Sequence, residues 1–435
     1  MLLLSNVMSY IASLLGRSVV KNSLIYAVSD GICRALSFIL LPFVSYYLLP
    51  EELGVAANFD VLLNIITLLS GQAIVNGLSY FYYERSRESM SKLVSSLLII
   101  ILVTNALFSI IILFTSGIIE NLLHIGFGLQ LLSVASCVLM MLYNINMILY
   151  RLEEKPYAFA KLQIIHAVIH IILVWLLVID FKMGAIGKIY SAVGGYFFLA
   201  AVHIYLLVKR DFISRAFDKE SIIILLKFGI PLLPHSLSFW LKSGMDKILL
   251  TTYCGLAVNG LYSMAMSFGA IYSLVNNSFM MAYVPYLQKR INNINDDNIE
   301  REKNGIVKLT YKTGLLFIVL LIAIVPVCWV LMRYFLSEKY IESFRFIPWI
   351  MLSLTIYAFY SLVIQFPYTV KKTFGLGIIT FSGSVIQLLL TFFLIRELGE
   401  DGIKISMVLG ALIIMLGVWW YSNKVYPLPW FKNNK

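Results

Sequence analysis

Three charged residues stand close together in an otherwise apolar stretch, SFWLKSGMDKILLTTY, residues 238–253. Lys242 and Asp246 are four residues apart, a spacing that places two side chains on one helix face, where they can pair. An ionisable side chain at membrane depth costs about 2.5–3.5 kcal/mol on insertion scales, so it usually faces a partner or a watery cavity. The stretch therefore predicts an ion pair or a transport path. Lys247 points about 100° away from Asp246 and is expected to reach the outer interface.

A second pair of this kind occurs in the first apolar helix, where YAVSDGICRALSFILLP places Asp30 and Arg34 four residues apart. Two interpretations stay open: structural ion pairs that join helices, or the charged lining of a hydrated cavity that holds an anion. The candidate residues fall into two groups by role. The basic candidates for holding an anion are Arg34, Lys242 and His235, and the acidic candidates for ion pairing or ion coupling are Asp30, Asp246 and Asp60.

The elements that position these residues are predicted to be membrane-spanning helices. The chain has 435 residues, of which 60% are hydrophobic and 13% charged, with a mean hydropathy of +0.86. A soluble domain has about 25% charged residues. Stretches long enough to span the hydrocarbon core lie near residues 22–48, 55–82, 93–117, 122–149, 157–179, 184–208, 221–251, 257–285, 309–334, 344–370, 374–395 and 403–423. The predicted fold is therefore all-α, a polytopic membrane protein with twelve transmembrane helices.

Lys and Arg concentrate in alternate loops, which by the positive-inside rule places both termini in the cytoplasm. The most polar link, VKRDFISRAFDKES at 208–221, divides the chain into an N-terminal lobe, 1–210, and a C-terminal lobe, 211–435. An offset of 206 residues aligns GVAANFD at 54–60 with GLYSMAM at 260–266. Two parallel six-helix repeats commonly surround a site at membrane depth, so we expect two pseudo-symmetric bundles around a central cavity.

Several other patterns limit the function. The net charge of +11 is spread over short loops without a basic stripe, so no nucleic-acid partner is expected. No phosphate-binding loop or HExxH motif occurs, and neither a cofactor nor a metal is expected. His166 and His170 are four residues apart and are interpreted as interhelical hydrogen-bonding groups. Pro231 and Pro234 predict a bend in the seventh helix.

The sequence resembles the Wzx-type O-antigen and polysaccharide flippases of the multidrug/oligosaccharidyl-lipid/polysaccharide exporter superfamily. The resemblance spans nearly the whole chain and rests on the order of four segments. These are LLPEELG at 48–54, FGIPLLPHSLSFWLKSGMDKILL at 228–250, GLAVNGLYSMA at 255–265, and Pro285. In many relatives the pair that matches Asp246 and Lys247 contains Arg. Here the residue is Lys, so the resemblance does not establish a bidentate phosphate contact at this position.

The resemblance implies a flippase, not an enzyme, that moves undecaprenyl-pyrophosphate-linked oligosaccharide from the cytoplasmic to the periplasmic leaflet by gradient-coupled alternating access. It implies a bacterial inner-membrane location and, as partners, membrane lipids, a polysaccharide polymerase and a chain-length regulator. Arg34 and Lys242, with His235, would meet the pyrophosphate or acidic sugars. Two alternatives remain: a drug/cation antiporter of the same superfamily, and a membrane polysaccharide polymerase or ligase, which would need a larger outer loop than this sequence contains.

Overall fold

The computed structural model describes residues 17–214, 218–292, 299–370 and 372–431, without the side chains of residues 17–20, 235, 282 and 292. Within these ranges the chain is helical throughout, with short turns and no strand. The predicted all-α class is therefore confirmed. Two compact units divide the chain, one formed by residues 1–48 and 58–236 and the other by residues 49–57 and 237–435.

The first unit is built mainly from the helices that precede Ser236. Its helices are α1 Arg17–Tyr47, most of α2 Pro50–Thr67, α3 Ala73–Phe81, α4 Arg87–Leu123, α5 Phe127–Leu152, α6 Pro156–Leu173, α7 Gly184–Lys209 and α8 Lys219–Gly229. Helix α1 packs on α6, α4 on α5, and α7 on both α5 and α6. Only 11% of the most apolar window of α1 is buried, so this helix leaves most of its surface uncovered by its own unit.

The second unit contains the remaining helices. These are α9 Leu233–Cys254, α10 Leu256–Asn292, α11 Ile299–Phe335, α12 Ile347–Val363, α13 Gln365–Thr369, α14 Phe374–Leu398 and α15 Glu400–Val425. Helix α15 packs against α14 and α12, and α12 packs against α10 and α11. Between α9 and α10 the chain turns at Gly255, whose φ of +91° suits a residue without a side chain.

Ten helices of the described chain are long and apolar enough to span a membrane, and the pair Lys219–Leu232 and Ser236–Cys254 makes eleven if counted as one bent span. That pair bends by 55°, at the position where Pro231 and Pro234 predict a bend. The predicted eighth span lies in α10, which is a continuous helix but is not among the eleven. The predicted number of twelve transmembrane helices is therefore not confirmed.

The start of the basic link is attached to the first unit. Arg210 pairs with Glu153 at 2.9 Å, and Arg87 pairs with the same carboxylate at 3.2 Å. Phe212 is fully buried, and the Arg87 guanidinium lies 3.6 Å from its ring centroid. The start of the link, at Arg210 and Phe212, is therefore packed on the first unit. This unit extends to Ser236, whereas the lobe boundary predicted from the sequence follows residue 210.

Glu153 is surrounded by three cations. Its carboxylate also lies 2.9 Å from the Lys155 ammonium. Burial raises the pKa of Glu153, but the hydrogen bond from Lys155 and the charge of Arg210 lower it more, so its pKa lies below the ordinary value. The carboxylate is thus held ionised and joins the α5–α6 turn to the end of α7.

Candidate functional site

The first-lobe pair forms as predicted. The Asp30 carboxylate accepts a hydrogen bond from Arg34 Nε at 2.8 Å, one turn away on α1. Gln163 of α6 donates to the other Asp30 oxygen at 3.3 Å. The side chains of Asp30 and Arg34 are 43% and 50% exposed. The pair therefore lies on the surface of its unit, where the charge of Arg34 is offset by Asp30.

The corresponding pair in the second lobe does not form. Lys242 and Asp246 make no salt bridge in the described structure, which corrects the expectation from their spacing. The Lys242 ammonium lies 4.7 Å from the ring centroid of Phe239 and 4.9 Å from that of Tyr357. Long side chains on a helix lean toward its N-terminus, which carries the ammonium toward Phe239. A cation over aromatic faces is stabilised without being neutralised.

The carboxylate of Asp246 contacts a hydroxyl group on another helix. Its side chain is buried, at 3% exposure, and one carboxylate oxygen lies 3.4 Å from the hydroxyl oxygen of Thr391 on α14. The Thr391 hydroxyl is also 2.8 Å from that of Ser406 on α15. A buried ionised carboxylate without a cationic partner is costly. Protonation of Asp246, or binding of a monovalent cation to the carboxylate and hydroxyl oxygens, would remove this cost.

The remaining candidates have separate surroundings. Asp60 is exposed on α2, and Lys247 is half-buried on α9. The side chain of His235 lies outside the described structure. Of the six candidates, Asp30 and Arg34 are brought into contact, whereas Lys242 and Asp246 are separated in their own unit.

Buried aromatic and imidazole rings form a cluster that sequence reasoning did not predict. The ring of His166 lies 4.2 Å from that of Tyr196 and 5.1 Å from that of Tyr143, and the ring of His203 lies 5.5 Å from that of Tyr143. His166 Nε2 is buried without a hydrogen-bond partner in the described structure. His166 therefore joins helices α5, α6 and α7 by ring packing instead of by the expected hydrogen bond through this nitrogen.

Tyr357 and Thr391 were also missed as site residues. Both lie more than 100 positions from Lys242 and Asp246. A tyrosine or threonine in an apolar span carries no local pattern that marks it as a partner of a distant charge. The one available signal is the presence of polar residues in the later spans, such as Gln387 of α14, whose side chain lies 3.5 Å from the Tyr357 hydroxyl.

The fold has known relatives among transporter structures. The lipid II flippase MurJ in an inward closed conformation superposes with a TM-score of 0.73 at 17% identity, covering 92% of this chain and 87% of that chain. An inward-facing multidrug resistance MATE transporter of the MOP superfamily superposes with a TM-score of 0.71 at 15% identity, covering 90% and 94%. The chain thus has the all-α fold of these two membrane proteins, as the predicted fold class requires.

The chain belongs to the family described as polysaccharide biosynthesis protein, which its residues 19–290 match. Protein 1 of the Lsg locus of Haemophilus influenzae is 20% identical over 335 residues, which cover 74% of this chain and 79% of that protein. An uncharacterized membrane protein of the same organism is 20% identical over 378 residues, covering 82% and 85%.

Proposed function

We propose that the protein is a flippase that moves undecaprenyl-pyrophosphate-linked oligosaccharide, an O-antigen or related repeat unit, from the cytoplasmic to the periplasmic leaflet. The polysaccharide family and the flippase fold support this class of substrate. The proposal includes a bacterial inner membrane, both termini in the cytoplasm, and alternating access of a central cavity between the lobes. A polysaccharide polymerase and a chain-length regulator would act on the delivered product.

The observation that carries the proposal is the set of groups around the Lys242 ammonium. Its ammonium is held against two aromatic rings, Phe239 and Tyr357, and pairs with no carboxylate in the described structure. A cation in this state keeps its charge for an anionic ligand, whereas Arg34 already shares its charge with Asp30. We therefore assign the pyrophosphate or an acidic sugar primarily to Lys242, and a secondary contact to Arg34. His235 stays a third candidate.

Energy is proposed to come from an ion gradient through Asp246. Because the carboxylate is buried beside Thr391, it is stable when a proton or a monovalent cation neutralises it. Loss of that ion would leave a buried negative charge one helical turn from Lys242, so ion occupancy and anion binding would be coupled through α9. Asp30 and Asp60 are the proposed coupling groups of the first lobe.

Deletion of the gene tests the function directly. We expect lipid-linked repeat units to accumulate on the cytoplasmic leaflet and surface polysaccharide to fall. Wild type and Lys242→Arg should restore export, since both supply a cation, whereas Lys242→Gln should not at equal abundance. Normal export in the deletion strain would contradict the proposed function.

A drug/cation antiporter is the second candidate, and the buried carboxylate of Asp246 is the observation that favours it, since a lipophilic cation could neutralise that group. Competition binding distinguishes the flippase from the antiporter. Lipid-linked oligosaccharide should displace a bound reporter anion from the purified protein, whereas cationic drugs should not.

A further inference from the structure

A row of cations follows one face of helix α11 in the second unit. Arg301, Lys308 and Lys312 are all exposed, and at 100° per residue they project within about 40° of one another. We call these three residues the basic face. Toward the middle of the helix the same face continues with the exposed apolar side chains of Leu315 and Val319. One helix surface therefore changes from cationic to apolar along its length.

A fourth cation reaches this surface at Gly305. This glycine lies on the basic face between Arg301 and Lys308, and a Cβ added to it would overlap the guanidinium of Arg290. The missing side chain thus lets Arg290, from the end of α10, lie against the basic face.

The acidic residues near the start of α11 do not neutralise this face. Glu300 and Glu302 lie about 100° to either side of it, and Glu302 accepts a hydrogen bond from Arg290 Nε. Asp296 and Asp297 precede the helix in sequence, outside the described residues. Among the described residues, no carboxylate forms a salt bridge with the three cations of the basic face.

The basic face ends where α11 enters the predicted membrane core. Twenty uncharged residues separate Lys312 from Arg333, which at 1.5 Å per residue span about 30 Å, the thickness of the hydrocarbon core. Only 17% of the most apolar window of α11 is buried, so the protein leaves most of this surface to lipid. Tyr311 is exposed and donates to the Trp430 carbonyl oxygen, with the two rings 6.1 Å apart. Because Tyr and Trp are enriched at membrane interfaces, Lys312 is expected at the level of the lipid headgroups.

The corresponding helix of the first lobe differs in its charges. Helices α4 and α11 are each the third predicted span of their lobe, and each has 37 residues. At the start of α4, Arg87 pairs with Glu153 at 3.2 Å and Lys92 pairs with Glu88 at 2.8 Å. The positive charge that α4 neutralises within the protein is therefore left for an external anion on α11.

We infer that the basic face of α11 binds the headgroup of an anionic phospholipid. The phosphate of the lipid meets the ammonium and guanidinium groups, and its acyl chains lie along Leu315 and Val319. Basic clusters next to a membrane span attract anionic lipids in this way, whereas a zwitterionic lipid has no net charge to offer. The leaflet is the one at the N-terminal end of α11, which the predicted topology places on the cytoplasmic side. The inference does not depend on the substrate of the proposed function.

Native mass spectrometry of the purified full-length protein tests the site, with phosphatidylglycerol and phosphatidylethanolamine added separately in detergent. Wild type should bind phosphatidylglycerol more tightly than phosphatidylethanolamine. Each cation near an anionic lipid surface changes the affinity about fivefold, so the triple variant Arg301→Gln, Lys308→Gln and Lys312→Gln should bind phosphatidylglycerol at least about tenfold more weakly. The double variant Lys308→Arg and Lys312→Arg keeps the charge and should bind as wild type does. Lys92→Gln is the matched control, because this cation of α4 already pairs with Glu88.

Equal affinities of the triple variant and the wild type for phosphatidylglycerol would overturn the inference. If the triple variant does not accumulate, the single variants Lys308→Gln and Lys312→Gln decide. Each should bind phosphatidylglycerol severalfold more weakly, and unchanged affinity in both would again overturn the site. A dimer that dissociates in the triple variant while the lipid affinity is unchanged would assign this face to a second copy of the chain instead of a lipid.

Discussion

The ring of Tyr357 on α12 lies 4.9 Å from the ammonium of Lys242 on α9. One turn further along α9, Asp246 points to Thr391 on α14. Two opposite charges that are four residues apart in sequence are thus held apart by contacts with Tyr357 and Thr391 on two other helices. In the proposed function, this separation leaves Lys242 for an anion and Asp246 for a proton or cation.

Because Lys242 and Asp246 are not paired, their substitutions should not compensate each other. Lys242→Gln is expected to reduce surface polysaccharide with little change in abundance, and the double variant with Asp246→Asn should not restore it. Residues that do not interact give additive effects within about 0.5 kcal/mol. The additivity is measured by a double-mutant cycle of protein abundance, and export is measured in the same strains to detect any recovery in the double variant.

The bonded pair Asp30 and Arg34 serves as the control for that cycle. Here each single neutralisation leaves one charge unpaired, so Asp30→Asn and Arg34→Gln should show a measurable coupling in abundance. Recovery of export in the Lys242 and Asp246 double variant would show that these two residues pair in the working protein.

Tyr357 is expected to hold the Lys242 ammonium through its ring. Tyr357→Phe keeps the aromatic face, whereas Tyr357→Leu removes an interaction of about 0.5–2 kcal/mol. Leucine should therefore weaken binding of the lipid-linked oligosaccharide about threefold or more and phenylalanine should have little effect. Competition binding on purified protein provides the comparison, and equal affinities of the two variants would exclude the ring contact.

Low pH should weaken the ion pair between Arg210 and Glu153 in the first unit. The pKa of Glu153 is lowered in the folded protein, so its contribution to stability is present above the ordinary Glu pKa of about 4.3 and is lost as the pH falls through the lower folded value. Thermal unfolding in detergent from about pH 7 to pH 3 measures this loss. Hydrogen bonds to charged groups contribute about 1.5–3 kcal/mol, and Glu153→Gln should remove part of the pH dependence. If the unfolding temperatures of Glu153→Gln and the wild type depend on pH in the same way, the proposed role of this carboxylate is contradicted.

The orientation of the chain can be measured by labelling single cysteines. Lys219→Cys and Gln288→Cys should label from the cytoplasm, and Glu51→Cys from the periplasm, since all three positions are exposed. The background lacks Cys33, Cys137, Cys254 and Cys328, which are free thiols. Labelling of all three positions from one side would disprove the predicted topology.

Local patterns in the sequence were sufficient for the class of the fold and for part of the site. Long apolar runs indicate membrane helices, because the hydrocarbon core requires internally bonded backbone. The pair of Asp30 and Arg34 follows from spacing on one helix, and the bend at Pro231 and Pro234 from their missing backbone donors. These features depend on residues within one or two turns of each other.

Tertiary packing decided the features that depend on distant residues. The spacing of Lys242 and Asp246 allows a pair, but Tyr357 and Thr391, which arrive from helices more than 100 residues later, offer each side chain a separate partner. Sequence spacing determines which residues share a helix face, whereas the choice among partners is made by the helices that pack against that face.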